Sequence, residues 1–122
     1  MTQVQQHKIQ QEVEMTKKQQ MKYQVKKSEG MIEILLSGNI TFQNYNIFRS
    51  VLTAFNGPIG SQVVLDLSNV ANIDCEGLSM LIIAREVAYT RSLTLWLKGV
   101  QGKINEILAM EGFDDILPIM RA

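Results

Sequence analysis

The sequence predicts an α/β domain: an opening β-hairpin, then alternating strands and helices, with a mostly parallel mixed sheet packed by helices. Three observations carry this. Val63, Val64, Leu65 and Leu67 form a nearly continuous apolar run, as expected of a parallel strand covered on both faces. Leu93-Thr94-Leu95-Trp96-Leu97-Lys98 alternates strictly, the signature of a second strand. The segments around these runs repeat apolar residues at helical spacing, so helices cross between strands that run parallel.

Composition bounds the rest. A chain of 122 residues, 46% hydrophobic and 20% charged, is the size of one domain with its own core. Lys+Arg and Asp+Glu stand at 12 each, so bulk electrostatics does not favour nucleic-acid binding. No apolar run approaches the ~18 residues of a membrane span, and direct membrane insertion is not expected. The polar start does not read as a secretory signal. A single Cys suits a reducing cytoplasm, and a single His, His7, argues against a histidine metal site.

Residues 1–20 are rich in glutamine, with Val4, Ile9 and Val13 as a thin apolar stripe. They read as an N-terminal extension, flexible or a helical arm. The compact domain is expected over 21–122. Met21 to Lys26 alternates as a half-buried strand, Lys27-Ser28-Glu29-Gly30 is turn chemistry, and Met31 to Leu36 returns as the second strand of the hairpin. Thr41 is placed to cap the next helix, whose stripe runs Tyr45, Phe48, Val51, Leu52, Phe55 until Gly57-Pro58.

After the strand at 63–67 comes a turn, then a helix from Gly77 to about Thr90. Leu78, Leu81, Ile82, Arg85 and Ala88 share one side. Glu76, Ser79, Ile83, Glu86 and Thr90 share the opposite, polar side, on which Ile83 stands out. A third helix is expected from Gln101 to Met110 with Ile104, Ile107 and Leu108 inward and Gly112 as its C-terminal stop. Ile116-Leu117-Pro118-Ile119 reads as a last short strand, confined by Pro118 to an edge or an end.

Residues able to carry chemistry gather between that central strand and its helix. Asp74 stands where a helix needs an N-cap acceptor, and Glu76 would complement the dipole of the first turn. Cys75 lies between these two carboxylates, which oppose thiolate formation, and nothing sets His7 beside it. A Cys75-dependent redox enzyme is therefore the weakest of the functional readings. Asp114-Asp115 reads as a solvated turn. The glycines follow neither nucleotide-binding spacing, GxxxxGK[ST] or GxGxxG. No catalytic residue, metal or cofactor is expected.

Asp66-Leu67-Ser68-Asn69-Val70-Ala71-Asn72-Ile73-Asp74-Cys75-Glu76-Gly77-Leu78 resembles the signature of STAS domains (sulphate transporter and anti-sigma factor antagonist), approximately D-L-S-x-V-x-x-I/M-D-S-S/T-G-L. Leu36-Ser37-Gly38-Asn39-Ile40 resembles that family's L-x-G-x-L/I segment, and Gly112-Phe113 its ending. The resemblance spans about 21–120 and implies the anti-anti-sigma factor fold. It also implies a non-enzymatic bacterial regulator of signal transduction and transcription, acting by partner switching. The partners it implies are an anti-sigma factor resembling a serine kinase and a PP2C-type phosphatase, with a homodimer as a further arrangement. A soluble accessory subunit of a membrane transport or lipid-trafficking complex is the alternative.

The resemblance places the partner-binding surface at Asn39, Thr41, Asp74, Cys75, Glu76, Gly77, Ser79 and Ile83. The family's phosphoacceptor Ser or Thr falls on Glu76, which no Ser/Thr kinase can modify. Glu carries one charge and two oxygens, against ~−1.5 to −2 and three oxygens for a phosphate. The expectation is a partner surface built around the carboxylate, with constitutive binding. Ser79, one turn on, is a displaced phosphosite in the sharper reading and a solvated helix serine in the plainer one.

Overall fold

The computed structural model describes residues 16, 17 and 19–120, apart from the side chain of Asp114. The stripe Val4, Ile9, Val13 and His7 lie outside the described residues. β1 (Lys22–Ser28) and β2 (Met31–Ile40) form the expected hairpin around Glu29-Gly30. Gly30 takes φ 76, a conformation open to glycine at little cost. A 3-10 turn (Phe42–Asn44) leads into α1 (Tyr45–Thr53). Then come β3 (Gln62–Ile73), α2 (Cys75–Thr90), β4 (Thr94–Lys98), α3 (Gly102–Met110) and a closing 3-10 turn, Phe113–Asp115. The sheet runs β1-β2-β3-β4, antiparallel in the first pair and parallel in the other two.

The helices cover one face. Ile32, Ile34 and Leu36 of β2, Val63, Leu65 and Leu67 of β3, and Leu95 and Leu97 of β4 are buried there with Phe48, Leu81 and Leu108. The central strand is therefore not covered by helices on both faces, as its apolar run suggested. Val64 is buried on the other side between its register neighbours Glu33 and Trp96. That opposite face also presents Leu35, Asp66 and Lys98, with Lys98 Nζ 3.2 Å from Glu33 Oε1.

Four further expectations are corrected. β1 is exposed along its whole length rather than half-buried, because it is an edge strand from which no residue packs into the core. β3 continues through Ile73 instead of ending at Leu67. Arg85 is exposed, and its place on the inner face of α2 is taken by Met80 and Ala84. The final strand is reduced to one bridge between Leu97 and Ile119. Leu97 N donates to Pro118 O at 2.8 Å and Met120 N to Leu97 O at 2.7 Å. The next rung back would need an N–H on Pro118, which has none.

Candidate partner-binding surface

The end of β3 positions the site. Asp66 Oδ1 accepts from Ser68 N at 2.9 Å and from Ser68 Oγ at 2.7 Å, a local bond of the kind short polar side chains make with neighbouring backbone. The pairing of β2 with β3 shifts between Leu35 and Ser37 and again between Gly38 and Asn39. Each shift leaves an extra residue on β3, a bulge that bends the strand while the ladder continues to Ile40 and Ile73. The polar Ser68, Asn69 and Asn72 are thus accommodated within a strand.

Asp74 ends the strand and starts the helix. Its N–H donates to Ile40 O at 3.3 Å, and its Oδ1 accepts from Gly77 N at 2.7 Å, the N-cap bond the sequence predicts. Gly77 is buried directly against the Ile40 carbonyl. A Cβ there would collide with that oxygen and lie 2.8 Å from Ile73 Cγ1. Glycine is required because the first turn of α2 sits on the end of β2. This seating turns Cys75, Glu76, Ser79 and Ile83 outward, all exposed along one face. Ser79 Oγ lies 3.4 Å from Cys75 O, back along its own helix.

The β2–α1 segment borders the same helix start. Asn39 and Thr41 are half-buried. Thr41 does not cap α1 as expected. A 3-10 turn intervenes, and its Oγ1 is buried without a hydrogen-bond partner. Asn44 precedes α1 instead, but its side chain is engaged elsewhere. Fully buried, it donates Nδ2 to Gln19 O (2.9 Å) and Asn39 O (2.8 Å), and its Oδ1 accepts from Met21 N (3.1 Å). Asn39 N also donates to Gln19 O at 3.1 Å. A strap at 19–21 is thereby tied to the end of β2 at Asn39.

Three residues just beyond the end of β2, in the 3-10 turn and α1, were missed by sequence reasoning. Phe42 is 66% exposed and stacks on Tyr45 with ring centroids 6.4 Å apart, and the Arg49 guanidinium lies 5.9 Å from the Tyr45 ring. Counting Tyr45 into the inner stripe of α1 hid it, although a Phe and a Tyr three apart at a helix start were a readable signal. Chemically, the surface offers a fixed carboxylate, a thiol and an aromatic pair with a guanidinium. Among the described residues no group of His, Cys, Asp and Glu could hold a metal ion.

The sequence matches the family model described as STAS domain over residues 22–122. The chain belongs to the STAS domain family. No curated protein matches it. Among solved structures, an anti-sigma factor antagonist from Mycobacterium paratuberculosis is similar at a TM-score of 0.74 and 17% identity, covering 88% of this chain and 92% of that one. A sulfate transporter family protein from Wolinella succinogenes is similar at 0.63 and 23% identity, with 74% and 73% covered. The murine anion transporter Solute Carrier 26 family member A9 is similar at 0.63 and 14% identity; the match covers 91% of this chain and 21% of the transporter. At these identities the likeness is one of fold. Among the described residues of this STAS domain, no helix is long and apolar enough to cross a membrane.

Proposed function

We propose that this STAS domain is a non-enzymatic protein–protein interaction module in a bacterial, cytoplasmic partner-switching pathway, of the anti-sigma factor antagonist type. The observation that carries the reading is the Asp74-capped start of α2 with Glu76 exposed in its first turn; by the signature's resemblance, this is where the family's phosphoacceptor falls. Asn39, Thr41, Asp74, Cys75, Gly77, Ser79 and Ile83 complete the surface, with Asp74 and Gly77 holding its shape rather than touching the partner. A partner cation facing Glu76 would form a charge-assisted bond that needs no kinase and no phosphatase step. The implied partner resembles a serine-kinase anti-sigma factor, held constitutively.

A second reading is a soluble accessory subunit of a transport or lipid-trafficking complex. It is favoured by the same carboxylate, since such a role needs no phosphorylation. Affinity capture from native lysate, read by mass spectrometry for wild type and Glu76→Ser, separates the two. A kinase-like ATPase supports the first reading, and a permease or membrane ATPase supports the second. Intact-mass analysis of the purified chain is expected to show no phosphate.

A further inference from the structure

β1 forms one edge of the sheet, and among the described residues no strand pairs with its outer side. The register shows which of its backbone groups face outward. Gln62 N donates to Gly30 O at 2.9 Å, across the seam between β2 and β3. By alternation along β2, Ile32, Ile34 and Leu36 also turn their N–H and carbonyl groups toward β3. Their register partners on β1 are Lys27, Val25 and Tyr23. These three residues therefore point their own N–H and carbonyl groups off the edge, where a further strand could pair.

The side chains of β1 sort by face, since directly opposed residues of an antiparallel pair share one. Tyr23 and Val25 stand on the helix side, level with the buried Leu36 and Ile34, yet both are exposed. Lys22, Gln24 and Lys26 stand on the open face. The strand holds three lysines and no acid. Lys27 Nζ reaches Asn56 O at 3.2 Å. Lys22 and Lys26 form no ion pair among the described residues, and Glu33, opposite Lys26, is taken by Lys98.

We propose that β1 is a docking edge for an extended acidic segment of a partner protein. The segment adds as a strand whose main chain pairs with Tyr23, Val25 and Lys27. Its apolar side chains extend the layer of Tyr23 and Val25, and its carboxylates lie over Lys22 and Lys26. Charge decides the occupant. A second copy would bring three more lysines to the same seam. Edge lysines turn away strands that do not answer their charge, so the feature that guards the edge also selects what it admits. The docking edge shares no residue with the Glu76 surface, so either can fail alone.

The test uses the full chain labelled with nitrogen-15 and a capped peptide, as long as β1, that alternates valine with glutamate. Saturable amide shifts are expected along β1. At saturation the Tyr23, Val25 and Lys27 amides should exchange at least about tenfold more slowly, while Gln24 and Lys26, already paired to β2, should not change. Lys22→Glu/Lys26→Glu should weaken binding at least about tenfold through charge reversal at both contacts. Val25→Pro should abolish it and keep the fold, checked by unchanged amide shifts in β3, because the N–H it removes points outward. No saturable shift at about 1 mM peptide would overturn the proposal. So would equal binding of a peptide alternating valine with lysine, which would remove the charge selection. Binding that survives Val25→Pro would overturn it by excluding strand addition. Protection of the three outward amides in the free chain that fades on dilution would overturn it by assigning the edge to a second copy.

Discussion

Replacing Gly77 by alanine tests how α2 is seated on the sheet. Helix propensity alone favours alanine over glycine by about 1 kcal/mol. The structure reverses that sign. The added methyl would collide with the Ile40 carbonyl oxygen and lie 2.8 Å from Ile73 Cγ1. Backbone in a paired strand cannot rotate aside as a side chain can, so an overpacking cost of about 1–3 kcal/mol applies. Lifting the helix also weakens the Asp74 N to Ile40 O bond at 3.3 Å and the Asp74 cap at 2.7 Å, about 1 kcal/mol each. The net expectation is a loss of about 2–4 kcal/mol. In urea, at a slope of about 2 kcal/mol/M, the midpoint should fall by about 1–2 M when followed by far-UV circular dichroism. Gly57→Ala is the control. Its nearest neighbours to a new Cβ are 3.4 Å away, and stability should hold or rise by about 0.4–1 kcal/mol. A Gly77→Ala midpoint equal to or above the wild type would refute the seating described.

Asp74→Ala should cost about 1 kcal/mol and speed hydrogen exchange at the Gly77 amide, because that N–H loses its acceptor. Thr41→Val should leave stability unchanged or raise it by up to about 1 kcal/mol in the same titration, since the hydroxyl it removes is buried without a partner. A clear loss would mean the hydroxyl is bonded. Asn44→Ala should cost about 2–4 kcal/mol, at roughly 1 kcal/mol for each of three bonds, and should expose the Met21 amide to exchange while leaving those of β3 protected.

The element order was legible because burial on one face imposes its period on the apolar residues. Phe48, Val51 and Phe55 are all fully buried, as their spacing predicts. The Asp74 cap was legible because few residue types can satisfy the first amides of a helix. Gly112, at φ 74, stops α3 as expected. The extension of β3 was not legible. Two bulges carry polar residues along a paired strand, and a turn and a bulged strand present the same side chains. The strap and the aromatic patch were hidden for another reason. Asn44 binds residues 23 and 25 positions away, and such long-range bonds leave no periodic trace. Tyr45 is 37% exposed although it falls on the apolar stripe of α1.

The central claim is that a partner reads the carboxylate of Glu76. The direct measurement is the dissociation constant of the captured partner for wild type, Glu76→Gln, Glu76→Ala and Glu76→Ser, each checked for an unchanged urea midpoint. A hydrogen bond to a charged group contributes about 1.5–3 kcal/mol, so each variant should bind at least about tenfold more weakly. Equal affinity across all four proteins would contradict the claim.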